Sequence, residues 1–169
     1  GKLISTQTTS SGTATCKYTT TFGSVTAYVI VTDTVGNTKQ SSTITIWDYT
    51  IKTLAELKTF RDRVNSGTTY QGNTITQIAD ISIGGSSAGN WTPIGTNSHR
   101  FAGTYNGNNH TISNLYIKHA SGNVGDRGLF GNTETGSVIK NLKMTNANVY
   151  SNSEAIGILV GYNRSNISS

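Results

Sequence analysis

The sequence predicts an all-β protein in which a short β segment and one amphipathic helix lead into a parallel β-helix. Three observations carry that prediction. Only 34% of the 169 residues are hydrophobic and one is proline. Their places are taken by Gly, Thr, Ser and Asn, a mixture of β-branched residues and turn-formers that favours short strands and tight turns over helices. An apolar grammar also recurs: Ile112, Asn114, Leu115 and Ile117 are matched, each 27 positions later, by Ile139, Asn141, Leu142 and Met144. A landmark recurs with it at nearly the same interval, as Phe101 and Gly103, then Phe130 and Gly131, then Val160 and Gly161. A period of about 28 residues is too short for a propeller blade and has no helical half, which argues against ankyrin and tetratricopeptide units. It fits coils whose strands stack about 4.8 Å apart along one axis.

Residues 13–46 alternate as half-buried strands do: Ala14, Cys16 and Tyr18; then Val25, Ala27, Val29 and Val31; then Ile44 and Ile46. Three strands are expected. The turn DTVGNTKQ joins the last two as a hairpin, with Gly36 and Asn37 able to take positive φ and the Asp33 carboxylate able to bind nearby N–H groups. The run YVIVTDTVGNTKQSSTITI resembles the last two strands of bacterial immunoglobulin-like domains found in tandem on surface proteins. A complete sandwich of that kind needs about seven strands, and only three or four fit before Trp47. Residues 1–48 are therefore expected to be a partial immunoglobulin-like β segment, completed by strands upstream or by another chain. The alternative is a small β cap packed on the helix and coils.

Residues 49–169 are expected to hold the capping helix and the coils. Thr53 to Val64 is the one convincing helix: TLAE is a capping box, and Leu54, Leu57, Phe60 and Val64 form one apolar stripe with Lys58, Arg61, Asp62 and Arg63 largely off it. Gly67 supplies the stop. Such a helix just before a repeat array is expected to shield its open end. After it, Ile78, Asp80, Ile81 and Ile83 read as a divergent copy of the grammar, separated from the next by a longer insertion. A fourth begins at Ile167, so the chain is expected to be truncated inside a repeat.

In this reading Ile112 stacks on Ile139, Leu115 on Leu142 and Ile117 on Met144. Asn114 and Asn141 sit where strict alternation breaks and the strand bends, a position that suits left-handed backbone. Together with Asp80 they are expected to form a structural turn ladder from coil to coil. The alternative is that each caps only its own turn.

The runs WTPIG, FAGTYNGNNHTISNLYI, GLFG and GILVG resemble the Glug-motif repeats of bacterial surface proteins, among them adhesins and the segment preceding the protease domain of immunoglobulin A1 metallopeptidases. The resemblance covers about residues 50–169. It implies a right-handed parallel β-helix in an extracellular, secreted or cell-wall-attached bacterial protein; it does not imply an activity for this segment.

Chemistry is sparse. Cys16 is the only cysteine, which excludes a disulfide framework and reads as a small buried hydrophobe. The histidines His99, His110 and His119 do not form the His-Glu-x-x-His pattern of a zinc helix, and the eight acidic residues are scattered rather than paired as glycoside hydrolysis requires. Asp126-Arg127 reads as a solvated turn. No Gly-x-Ser-x-Gly elbow occurs. We therefore expect no enzyme activity, no catalytic residue and no cofactor or metal. The net charge of +5 is spread thinly with no basic run, which argues against nucleic acid, and no apolar run is long enough for membrane insertion. The start GKLISTQ lacks a signal core, as expected of a piece of a longer chain. What remains is the outer face of the coils, where Thr111, Ser113, Tyr116, Lys118, Lys140 and Lys143 are candidate contact residues for a host protein or glycan. Neighbouring domains of the same full-length chain are the other expected partners. The function this suggests is a stalk or adhesin module; the alternative is a spacer that positions a downstream protease or glycan-active enzyme.

Overall fold

The computed structural model describes residues 21–119, 125–151 and 155–168. The strand expected around Ala14, Cys16 and Tyr18 lies outside them, as does Glu154. The described regular structure is mostly strand with a single α-helix, so the protein is all-β. It divides into two compact units, Gly1–Asp48 and Tyr49–Ser169.

The described part of the first unit is one long antiparallel hairpin in two ladders. β1 (Gly23–Ala27) pairs with β4 (Ile44–Asp48), and β2 (Ile30–Thr32) pairs with β3 (Thr38–Gln40). The continuous strand expected over Val25–Val31 is interrupted, because Ser41 interposes its hydroxyl, which accepts from the Val29 N–H at 2.9 Å. The turn is held by Asp33, whose carboxylate accepts from the N–H groups of Val35 and Asn37 and from the Asn37 amide at 2.8–3.0 Å. These bonds, the Asn37 side chain first, hold the Asp33 carboxyl below its usual range. Only Gly36, not Asn37, takes positive φ there. Val29, Ile30, Val31, Ile44 and Trp47 are exposed.

The second unit opens with β5 (Thr50–Ile51) and α1 (Leu54–Asn65). Thr53 is the N-cap, its hydroxyl accepting from the Glu56 N–H while the Glu56 carboxylate accepts from the N–H groups of Thr53 and Lys52. The helix ends where Gly67 turns to φ +105° and the N–H groups of Gly67 and Thr68 return to Val64 and Arg63. Thr53→Ala removes the cap and is expected to cost about 1 kcal/mol in urea unfolding, an effect that Thr53→Ser should largely avoid.

The remaining strands are β6 (Thr74–Gln77), β7 (Ile81–Ser82), β8 (Thr104–Asn106), β9 (Thr111–Ser113), β10 (Tyr116–His119), β11 (Phe130–Asn132), β12 (Val138–Lys140), β13 (Lys143–Thr145), β14 (Asn148–Ser151), β15 (Val160–Tyr162) and β16 (Asn166–Ser168). Every pairing among them is parallel. The longest sheet has the order β16-β12-β8-β6-β5, a second runs β13-β9-β7, and β10-β14 and β11-β15 make two more.

The register corrects the expected stacking. Ile139 lies beside Tyr105 on one side and Ile167 on the other. Ile112 lies between Ile81 and Met144, and Ile117 beside Val149. Thus Ile112 is not stacked on Ile139, nor Ile117 on Met144, and Leu142 is only half-buried. The reason is that the recurring motif marks a corner rather than a sheet. Its first copy spans the bend from β9 to β10 and its second the bend from β12 to β13, one sheet earlier in the cycle. Asn114 and Asn141 have φ of 59° and 53°, and because the two bends share this left-handed chemistry they share a sequence. The stacked positions in the longest sheet run Ile75, Tyr105, Ile139 and Ile167, at unequal intervals along the chain.

The divergent copy shifts too. Ile81, not Ile78, pairs with Ile112, and Ile78 is 43% exposed. The landmark has a different first member: Phe130 lies beside Val160 in one direction and Ile94 in the other, whereas Phe101 bridges to Thr133.

Inside the sheets the core is aromatic. Phe60, from the helix, lies 5.3 Å from Tyr70, 5.6 Å from Phe101 and 5.9 Å from Tyr105. Phe130 extends the cluster, 5.3 Å from Phe101 and 5.5 Å from Tyr105. Leu57, Phe60 and Val64 are fully buried, so α1 covers the end of this cluster. The Tyr105 hydroxyl within it is tied: it donates to Gln77 Oε1 at 3.0 Å, and Gln77 Nε2 donates to the carbonyls of Ala79 and Thr111. Complete burial pushes the Tyr105 phenol well above its ordinary value.

Candidate functional site

The expected turn ladder is rearranged. Asn114 Nδ2 donates to Ser82 Oγ at 2.9 Å, and its Oδ1 accepts from Asn146 Nδ2. Asn146 also has positive φ, so one corner column runs Ser82, Asn114, Asn146. Asn141 belongs to a different column, donating to Asn106 Oδ1 at 3.1 Å. Asp80 joins neither. It lies just before β7 instead of at the following bend, and its Oδ1 accepts from the Thr111 N–H at 2.8 Å and meets His110 Nδ1 at 3.2 Å. Asp80, Asn114 and Asn141 therefore do not form one column.

The six candidate contact residues are divided among three sheets. Thr111 and Ser113 stand on β9 beside Lys143 and Thr145 of β13; Tyr116 and Lys118 on β10 beside Asn148 and Tyr150 of β14; Lys140 on β12 between Asn106 and Ser168. Thr111 and Lys143 are direct neighbours, and Lys118 and Lys143 are exposed. The fold does not bring the six into one patch.

The carboxylates are committed to local structure. Glu56 serves the helix cap, Asp62 pairs with Arg61, Asp126 accepts from Asn132, and Glu134 pairs with Arg100 at 3.1 Å. The Asp126-Arg127 turn is not solvated: Arg127 is buried and bridges to Ile156, while Asp126 Oδ2 holds the amide of the buried Asn132 at 2.8 Å. Among the described residues no group of three or more His, Cys, Asp or Glu could hold a metal ion, and no helix is long and apolar enough to cross a membrane.

Backbone hydrogen bonds, from Thr111 to Asp80 and from Thr135 to Glu134, are the first cause holding both carboxyls below their ordinary values of 3.8 and 4.5. Groups with a depressed folded pKa contribute stability that is present above the unfolded pKa and lost as pH falls through the folded one. Urea midpoints are therefore expected to hold between about pH 7 and pH 5 and to fall below about pH 4. Asp80→Asn should reduce that acid-side slope.

One concavity does gather polar groups. It lies between α1 and the segment following β7, with a volume of about 120 Å³, and is lined by Lys58, Arg61, Ile83, Gly89, Asn90 and Trp91. Its floor is pinned: the Trp91 N–H donates to the Tyr116 carbonyl and its indole N–H to the Leu129 carbonyl. The Asn90 amide spans the Lys118 backbone, accepting from its N–H at 2.6 Å and donating to its carbonyl at 3.1 Å. From sequence alone Lys58 and Arg61 belong to the outer face of the helix and Trp91 to a repeat motif. The i, i+3 spacing of the two cations is the available signal; their meeting with Trp91 is long-range and has no local trace.

No family model matches the chain, and no solved structure does. A Gly-rich membrane protein of Evansella cellulosilytica is 34% identical over 98 residues, 57% of this chain and 11% of its own length. Halomucin of Haloquadratum walsbyi is 31% identical over 120 residues, 67% of this chain and 1% of its own length. The chain thus spans a small part of these curated relatives.

Proposed function

We propose that the chain is a non-catalytic module of a bacterial cell-surface protein, a stalk or adhesin-type segment with a structural and interaction role. In this reading residues 49–169 are coils of a right-handed parallel β-helix of the Glug-motif kind, closed at one end by α1. The hairpin before them is the end of an immunoglobulin-like domain, and its exposed Val29, Ile30, Val31, Ile44 and Trp47 suit a sheet whose partner strands lie elsewhere. The observation that carries the reading is the parallel register of successive repeats, β5 to β6 to β8 to β12 to β16. A chain that returns again and again in parallel to the same sheet builds a stiff rod with side chains on every face, which suits display better than catalysis. The names of the relatives, a membrane protein and a halomucin, support a place at the cell surface.

A second reading is favoured by how small a share of those relatives the chain spans, 11% and 1%: the module serves as a spacer that positions a downstream protease or glycan-active enzyme. An antibody raised against residues 49–169 should label intact, unpermeabilised cells. Labelling only after permeabilisation would overturn both readings. Deleting the module from the full-length protein separates them: loss of adhesion to host protein or glycan with enzyme activity intact indicates the adhesin, and the converse indicates the spacer.

A further inference from the structure

We infer that the cleft between α1 and Trp91 is a binding site for a carboxylated sugar, a uronate residue of an acidic glycan. Lys58 and Arg61 stand one helical turn apart on the same face of α1 and both line the cleft. Lys58 is exposed and makes no hydrogen bond or ion pair among the described residues. The Arg61 guanidinium lies over the Trp91 ring, 4.8 Å from its centroid, an arrangement that fixes its plane. Its Nε and Nη2 are turned to Asp62 Oδ1 at 2.8 and 2.7 Å, which leaves Nη1 as a donor. Among the described residues Asp62 is the only carboxylate on either cation, and none lines the cleft. The site thus offers one exposed ammonium and one oriented guanidinium edge to an anion.

The rest of the lining is apolar or already hydrogen-bonded. Ile83 supplies an apolar wall, and Gly89 adds no side chain at the mouth. Asn90 and Trp91 have their polar groups committed to Lys118, Tyr116 and Leu129, so the floor is rigid before any ligand arrives, which lowers the ordering cost of binding. About 120 Å³ holds a carboxylate and the ring atoms next to it; the remainder of a glycan chain would lie outside, toward the exposed Lys118. In naming a glycan as the source of the carboxylate, the inference rests on the surface reading above.

The test uses tryptophan fluorescence. The chain has two tryptophans, so Trp47→Phe leaves Trp91 as sole reporter. Titration of this variant with tetragalacturonate at low salt is expected to give a saturable change in Trp91 emission, with none from neutral cellotetraose and no competition from equimolar inorganic phosphate. Lys58→Gln, at an exposed helix position, should weaken binding roughly tenfold. Arg61→Lys, which keeps the charge but loses the oriented fork, should weaken it while the thermal transition stays in place. Equal binding of cellotetraose, effective competition by phosphate, or an unchanged affinity in Lys58→Gln would overturn the inference. No response to tetragalacturonate from a protein whose antibody labels intact cells overturns the cleft assignment and leaves the surface role standing. Binding by a protein found only inside cells does the reverse.

Discussion

Phe60→Ala is expected to lower the stability of the second unit by about 3–5 kcal/mol. Phe60 is fully buried and lies within 6 Å of three other rings, Tyr70, Phe101 and Tyr105. Its removal opens a cavity at the place where α1 meets the strands, so the lost contacts belong to both. The helix depends on this packing, shared with the buried Leu57 and Val64, since an isolated helix of 12 residues is marginal in water. Loss of helical signal should therefore accompany the loss of stability. Phe60→Leu, which refills much of the space, should recover a substantial part. A change below about 1 kcal/mol in urea unfolding would show that α1 does not cover the end of the aromatic cluster.

The second large effect is expected at Gly95, for a different reason. A Cβ there would lie 2.3 Å from the Asn132 carbonyl oxygen and 3.3 Å from the Phe101 nitrogen, both backbone atoms, and the residue has φ +83°. Gly131, on β11, would place a Cβ 2.4 Å from the Gly95 carbonyl oxygen. The two backbones approach closely because neither has a side chain. Gly95→Ala combines forced separation with left-handed strain and should cost about 2–5 kcal/mol. Gly136→Ala is the control, since Gly136 has φ +87° with open space around it. It should cost about 1–2 kcal/mol, and the difference between the two measures the steric part alone.

These two sites show what is legible in the sequence. The helix is, because its cap, stripe and stop are local: Thr53 and Glu56 bind each other three residues apart, and the spacing of Leu57, Phe60 and Val64 declares a single face. The hairpin turn is legible at Asp33 and Gly36 for the same reason. Strand content is readable from composition, and so is the recurrence of left-handed asparagine. The register is not. Asn114 and Asn141 mark chemically equivalent bends on different sheets, and a motif that reports bend chemistry cannot report which sheet follows. The segment between Ile94 and Phe101 and the unequal intervals from Ile75 to Tyr105, Ile139 and Ile167 shift the alignment further. The cleft is also hidden, since Lys58 and Arg61 are distant from Trp91 in the chain, and only packing brings them together. Finally, the candidate face reads as one surface because outward positions alternate along each strand, whereas the bends at Asn114 and Asn141 divide it among three sheets.

The central claim is the parallel register of successive repeats, and long-range nuclear Overhauser effects test it most directly. With selectively labelled isoleucine methyls and tyrosine rings, the Ile139 methyls should show cross-peaks to the Tyr105 ring and to Ile167, and the Ile112 methyls to Ile81 and Met144. A cross-peak between Ile112 and Ile139, with none from Ile139 to Tyr105, would contradict it.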